Sequence, residues 1–366
     1  MKKLHFLEVE ANSKAFYTFA GLFALLSLIG VGAAYYMEHH GHYVTGMSNQ
    51  VIWGTPHIFA IFLIVAASGA LNVASISSVF AKTAYKPLAR LSGIVAMALL
   101  AGGLVVLLLD LGRPDRLIVA MTRFNLLSIF TWNIFLYSGF MAIVGLYVWT
   151  MMDRPYNKYT KNAGLFAFVW RLILTTGTGS IFGFLVAREA YDSALFAPMF
   201  IIMSFSFGLA AFMLVLMGIY KYSERELGDF IVNRLKNLLG VFIAAVFYFV
   251  VVYHITNLYS TDHKGISQFI LFGGGVYTFL FWVVQIFIGT LVPLYLLYGP
   301  KGNNRKMIGW ASLLVIIGGI AQLYIIIIGG QAYPIDLFPG LEVSSSFFDG
   351  TVASYAPSLP DVLLGV

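Results

Sequence analysis

Long apolar runs broken by short polar connections occupy almost the whole chain. They fall at 15–37, 56–80, 91–109, 128–151, 164–188, 197–220, 235–258, 270–298 and 307–330. Each is long enough to cross a bilayer, which takes about 20 apolar residues in a helix. In hydrocarbon a helix satisfies its own backbone polar groups, so the pattern predicts an all-α polytopic membrane protein with nine transmembrane helices. The whole of 1–366 reads as one integral membrane domain. An extra N-terminal helix at 15–37 precedes a first four-helix bundle at 56–188 and a second at 197–330. Small residues mark the expected helix contacts: Ala66, Ala70 and Ala74 in the second span, Gly177, Gly179 and Gly183 in the fifth, and Gly318, Gly319, Gly329 and Gly330 in the ninth. Such positions let backbones approach closely in lipid.

Basic residues orient the spans. Lys2, Lys3, Lys14, Lys82, Lys86, Arg90, Arg154, Lys158, Lys161, Lys221, Arg225, Arg234, Lys236, Lys301, Arg305 and Lys306 fall on one face. The other face carries only Arg113, Arg116, Arg123, Arg188 and Lys264. The richer face is cytoplasmic by the positive-inside rule, which puts the N-terminus inside a prokaryotic cytoplasmic membrane. The segment 331–366 then lies on the outer face. Its aromatic residues Tyr333, Phe338, Phe347, Phe348 and Tyr355 favour an ordered lid or docking surface over a loose tail. Pro360 and Asp361 ahead of Val362-Leu363-Leu364 read as a helix start whose apolar run has only just begun, so the sequence shown is expected to stop short of a tenth transmembrane helix of the complete protein.

Composition agrees with the pattern. The chain is 60% hydrophobic and 10% charged, with mean hydropathy +0.85, where soluble proteins carry about 25% charged residues. The net charge of +6 therefore speaks of membrane orientation and of contact with lipid, not of nucleic acid. Glu8 and Glu10 stand where a cleavable signal would have its apolar core. The chain has no cysteine, which leaves no thiolate to hold an iron–sulfur cluster or a disulfide.

Against this background one stretch stands out, Asp110-Leu111-Gly112-Arg113-Pro114-Asp115-Arg116. It follows the apolar third span, and Gly112 and Pro114 suit the close of a helix. Locally it reads as a helix stop with compensating Asp–Arg pairs. The second reading is a polar cluster lining a site at the membrane surface. Arg113, Arg116 and Arg123 sit here against the insertion bias, which favours the second reading.

Ionisable residues in spans are functional candidates. His57 lies near the outer end of the second span, with Trp53 one turn before it. Arg188 and Glu189 end the fifth, and His254 is near the outer end of the seventh. All share about the depth of Asp110 and Arg113. A quinone head group needs a hydrogen-bonding partner at each oxygen, a proton route to water and an apolar slot for its tail. Histidine exchanges a proton near neutral pH. Taken singly, His57 also reads as an interfacial histidine on a carbonyl, and Trp53 as part of the aromatic belt. A rival is a haem b clamped by His57 and His254. The loop His39-His40-Gly41-His42 reads as solvated rather than metal-binding. A transporter would have only the amides Asn72, Asn133, Gln285 and Gln322 within its spans, and no carboxylate sits mid-span to serve a proton pump.

Asp110-Leu111-Gly112-Arg113-Pro114 at the outer end of an early helix resembles the signature of the NrfD/PsrC family, the membrane subunits of polysulfide-reductase-like complexes. Gly54-Thr55-Pro56-His57-Ile58-Phe59, Thr131-Trp132-Asn133 and Thr176-Gly177-Thr178-Gly179-Ser180 are similar to its DsrP-type branch, from the Dsr electron-transfer complex of sulfur metabolism. The resemblance implies a subunit without haem or iron–sulfur cluster that binds menaquinone or ubiquinone near the outer face. It implies electron exchange with an extracytoplasmic ferredoxin-like iron–sulfur subunit, in a complex with multihaem cytochrome c and haem b membrane subunits. It gives His57 the position of a quinone-contacting histidine. Trp53, Asp110, Arg113, Arg188 and Glu189 are then expected to line the quinone site or its proton route. Gly54 stands where relatives have an asparagine, and Ile181 or Phe182 where they have a quinone-contacting tyrosine. The other reading is a structural anchor for redox partners with no quinone site of its own.

Overall fold

A computed structural model describes residues 14–222, 227–335 and 350–365. Among the described residues, nine helices are long and apolar enough to cross a membrane, and there is no strand. The first is α1 (Lys14–His40). The second span is broken into α2 (Thr55–Ala70) and α3 (Asn72–Ser78). It is followed by α4 (Lys86–Leu109), the short α5 (Leu117–Thr122), α6 (Ile129–Met152) and α7 (Thr160–Gly183). Then come α8 (Phe196–Tyr222), α9 (Asp229–Tyr259) and α10 (Lys264–Phe272). The eighth span joins α11 (Val276–Phe279) to α12 (Val292–Tyr298) through a π-helical stretch, Leu280–Leu291. The ninth runs from α13 (Arg305–Tyr324) through a π-helical turn, Ile325–Gly329, into α14 (Gly330–Ala332), and α15 (Leu359–Gly365) comes last.

The expected spans and the helices differ by five or six residues at several ends: the seventh span begins at Asp229, not 235, and the third at Lys86, not 91. The eighth span begins at Val276, not 270, because Gly273-Gly274-Gly275 interrupts it and Gly274 adopts φ +74°. The fifth ends at Gly183 and leaves Arg188 and Glu189 in a loop.

The segments α2–α7 and α8–α13, called the first and second bundles below, pack on each other as closely as within themselves: α2 lies against both α4 and α8, and α7 against both α6 and α8. Backbones come closest at the α2–α8 seam. A Cβ on Gly69 would overlap the Ser204 carbonyl, and one on Gly208 would overlap the backbone of Ala66 and Ala70. Any larger residue at this seam forces the two helices apart. By contrast, α1 stands mostly exposed beside the bundles. Its Ala33, Ala34 and Met37 pack on Leu364 of α15.

Two side chains repair the break between α2 and α3. The Ser92 hydroxyl donates to the Ala70 carbonyl at 2.6 Å and accepts from the Ala74 amide at 3.0 Å. Arg171 of α7 donates to the Ser68 carbonyl at 3.2 Å. An unwound mid-membrane backbone persists only where such partners exist.

At the last helix Ser358 and Asp361 cap each other: the Asp361 amide donates to Ser358 Oγ at 3.4 Å, and the Ser358 amide to Asp361 Oδ2 at 3.2 Å. The helix start expected at Pro360-Asp361 is described as a seven-residue helix, too short to be a membrane span. Of the aromatic residues expected in a lid, Phe338, Phe347 and Phe348 lie outside the described residues, as do Lys2, Lys3, Glu8, Glu10 and Arg225. Tyr355 is fixed over the start of α2, accepting from the Thr55 amide at 2.8 Å.

Candidate functional site

The site is built where α2 begins and α4 ends. Gly54 is the N-cap of α2, and Pro56 falls in its first turn, where a missing N–H costs nothing. The next residue is His57. Asp110 is the C-cap of α4. The two side chains meet across the helix ends, with His57 Nδ1 2.6 Å from Asp110 Oδ2. The contact has ion-pair separation without the alignment of a hydrogen bond. The Asp110 side chain is 1% exposed and that of His57 18%. A buried carboxylate needs such a partner.

Trp53 stacks on the His57 ring at 6.3 Å between centroids and meets Phe182 edge-on at 5.8 Å. Its backbone is held from the second bundle: Gln331 Oε1 accepts from the amides of Ile52 and Trp53, and Gln331 Nε2 donates to the Trp53 carbonyl.

His57 and Trp53 form the polar end of a cavity of about 500 Å³. Most of its wall is apolar, from Ile61, Leu104, Leu108, Leu117 and Met121 among others. Val105 and Phe130 line it and are 51% and 46% exposed, so the cavity has a wall on the lipid side between α4 and α6. The short α5 contributes Leu117 and Met121 to one side.

Three polar residues of α6, Asn133, Tyr137 and Ser138, also reach the cavity. Asn133 donates through Nδ2 to the carbonyls of Ile129 and Gly177 at 2.9 and 3.1 Å. Only the amide nitrogen can serve two carbonyls, so Oδ1 is the atom left buried without a donor. Tyr137 holds its hydroxyl 3.2 Å from Thr178 Oγ1. Sequence reading placed Asn133 only among mid-span amides and motif residues, and missed Tyr137. A polar pair one helical turn apart on α6 was the available signal. Ile181 and Phe182 line the same cavity, so its tyrosine comes from α6 and not from α7.

The other expected site residues stand apart. Arg113 points to solvent and makes a two-pronged pair with Asp115, 3.1 Å on each side. That pair raises the Arg113 pKa and lowers that of Asp115. The Asp–Arg compensation expected here is therefore Arg113–Asp115, while Asp110 turns inward to His57. Arg188 lies one layer behind Trp53. It donates to the carbonyls of Gln331 at 2.8 Å and Gln50 at 2.7 Å, and burial lowers its pKa. Glu189 lies toward the second bundle, where its carbonyl pairs with the His263 ring at 2.8 Å.

His254 is buried in the second bundle with Ser267 Oγ 3.1 Å from its Nδ1. It lines a separate cavity of about 30 Å³. The two histidines therefore do not face each other across one space, as an axial haem pair requires. Among the described residues no three His, Asp or Glu side chains converge as metal ligands. Sequence reading also passed over Arg171, which is 2% exposed in the middle of α7 and lies over the rings of Phe168 and Phe205.

These features define a multi-pass membrane protein with a lipid-side, polar-ended cavity and an imidazole–carboxylate pair at that end. The chain belongs to the NrfD family: the family model described as "Polysulphide reductase, NrfD" matches residues 43–335. It is 29% identical over 360 residues to the "Hdr-like menaquinol oxidoreductase integral membrane subunit" of Archaeoglobus fulgidus, covering 97% of this chain and 90% of that one. It is 24% identical over 376 residues to a selenate reductase component of Mesobacillus selenatarsenatis, covering 92% and 86%.

Proposed function

We propose that this chain is the quinone-reacting membrane subunit of an oxidoreductase complex. In this reading it exchanges electrons between the quinone pool and an extracytoplasmic iron–sulfur subunit, in a complex of sulfur metabolism. The observation that carries the proposal is the His57–Asp110 pair at the polar end of a cavity otherwise walled by aliphatic side chains. A planar ring with two oxygens and an isoprenoid tail matches that division. The menaquinol named for the Archaeoglobus relative supports a quinone of this class, menaquinone or ubiquinone.

The chemistry assigned to the residues follows from their geometry. With Nδ1 turned to Asp110, His57 offers Nε2 on the opposite edge of the ring to a quinol hydroxyl. As two electrons leave the quinol for the partner subunit, two protons must also leave. His57 takes one of them, with Asp110 stabilising the resulting imidazolium, and the other passes to bulk water at the outer end of the site. Asn133 Oδ1 accepts from the second hydroxyl and orients the ring, and Trp53 stacks beside it. Arg188 positions Trp53 through Gln331. Quinone reduction runs the same steps in reverse. The orientation proposed is N-terminus inside, in a prokaryotic cytoplasmic membrane, which places this end of the bundle outside.

The test is quinol oxidation by the purified complex with His57→Ala, together with a haem spectrum of this subunit. Lost turnover with intact assembly and no haem band supports the proposal. Unchanged turnover removes His57 as the quinone ligand and leaves a structural anchor. A haem band that disappears with His57 replaces the quinone reading by a haem b subunit.

A further inference from the structure

At the opposite end of the first bundle from His57, a cavity of about 740 Å³ opens between the end of α3, the starts of α4 and α7, and the end of α6. Lys86, Arg90, Arg154 and Lys161 line it. No Asp or Glu does. Among the described residues neither Lys86, Arg154 nor Lys161 has an ion-pair partner, and the adjacent Asp153 pairs with none of them. Arg90 is pinned at the wall, donating through Nε and Nη2 to the Met151 carbonyl at 3.1 and 2.8 Å.

This arrangement works against the protein in isolation. Lys86 and Arg90 occupy the start of α4 and Lys161 the start of α7, the positive ends of two 24-residue helices, and neither helix has an acidic residue in its first turn. Cations at helix N-termini are unfavourable, and like charges around one cavity repel. The positive-inside bias accounts for basic residues on this face, but not for their convergence on a shared concavity. Thr83, Ser78 and Asn157 add neutral hydrogen-bonding groups, while Pro87, Met151 and Met152 give an apolar side. Phosphate oxygens answer the first set, and the glycerol and upper acyl chains of a lipid answer the second. Basic pockets between membrane helices bind anionic head groups in this way.

We infer that this cavity is a binding site for a phosphate-bearing anion, and specifically for the head group of an anionic phospholipid. The site is separate from the quinone cavity, and the inference does not rest on the proposed function.

The test uses the complex purified in detergent and titrated with short-chain phosphatidylglycerol or phosphatidylcholine, with bound lipid read by native mass spectrometry. The wild type is expected to retain phosphatidylglycerol with at least tenfold preference. The triple variant Lys86→Gln, Arg154→Gln, Lys161→Gln is expected to lose affinity by about fivefold per cation, roughly 100-fold in all. A control with the same charge change away from the cavity, Arg234→Gln, Lys301→Gln, Lys306→Gln, is expected to bind as the wild type does. Equal loss in both variants, or no lipid preference in the wild type, overturns the site. Inorganic phosphate that binds the wild type as tightly and displaces the lipid overturns the lipid assignment and makes free phosphate the ligand. If the triple variant fails to assemble, Arg154→Gln alone and the wild-type competition decide the matter.

Discussion

Asp110→Asn is the most direct probe of the proposed quinone site. The substitution keeps the shape of the side chain and removes its charge, 2.6 Å from His57 Nδ1. Two unit charges at about 4 Å attract by roughly 4 kcal/mol at an effective dielectric of 20, the value suited to partly screened sites. Part of that attraction already acts on neutral imidazole, through the dipole of its Nδ1–H. About half, or ~2–3 kcal/mol, therefore appears only when His57 takes a proton. In the rate this is a drop of roughly 30- to 150-fold. The loss should fall on kcat and leave KM nearly unchanged, because the interaction grows as the proton transfers. The introduced amide can also present an N–H to Nδ1, which would favour the imidazole tautomer with its proton on Nε2, the wrong one for a base. Asp110→Glu should recover part of the rate by restoring the charge. The assay is steady-state quinol oxidation by the assembled complex, with subunit content checked by gel filtration. Turnover of Asp110→Asn within about twofold of wild type would refute the imidazole–carboxylate mechanism, since less than ~0.5 kcal/mol could then pass between the two groups.

Three further substitutions separate the parts of the site. Asn133→Leu removes the unpartnered Oδ1 and frees the Gly177 carbonyl; KM for quinol should rise about tenfold, with a stability loss of about 1–3 kcal/mol in thermal unfolding. Val105→Trp fills the lipid-side wall; binding of a long-tailed quinol should weaken roughly tenfold, while a tail-less analogue keeps its affinity. Arg113→Gln breaks only an exposed pair with Asp115; stability should stay within about 0.5 kcal/mol and turnover should not change. A large loss of turnover there would return Arg113 to the proton route.

Much of the architecture was legible because hydrocarbon imposes a simple rule on sequence. Runs long enough to span must be helices, and charged connections mark their ends. The rule says nothing about a break inside a span. Nothing in the local sequence around Leu71 announces the unwinding between α2 and α3, since Ser92 and Arg171, which make it tolerable, come from other helices. Arg171 was invisible for a related reason: a hydropathy window absorbs one cation among many apolar neighbours. The site followed the same division. His57, Trp53 and Asp110 share a depth, so their convergence could be read from the sequence. Arg113 and Glu189 share that depth too, but which way a side chain turns at a helix end is set by packing. Asn133 and Tyr137, one helical turn apart, mark a polar face of α6, but only the packing shows that this face meets the cavity.

The way the central pair is assembled bears on its role. His57 stands in the first turn of α2, where the helix dipole disfavours a cation, and Asp110 caps the end of α4, where it disfavours an anion. Each position costs about 0.3–1 kcal/mol for a charge held there alone. Exchanging the two residues would turn both terms favourable and give a more stable ion pair. The observed arrangement instead sets each group against its own helix dipole, so stabilisation of the helix ends does not explain why the two residues stand there. A pair kept for stability alone would have the opposite polarity, with the acid at the helix start and the base at the helix end. The cavity beside it, with Asn133 Oδ1 buried without a donor, is where the proposed quinone ring would meet the pair.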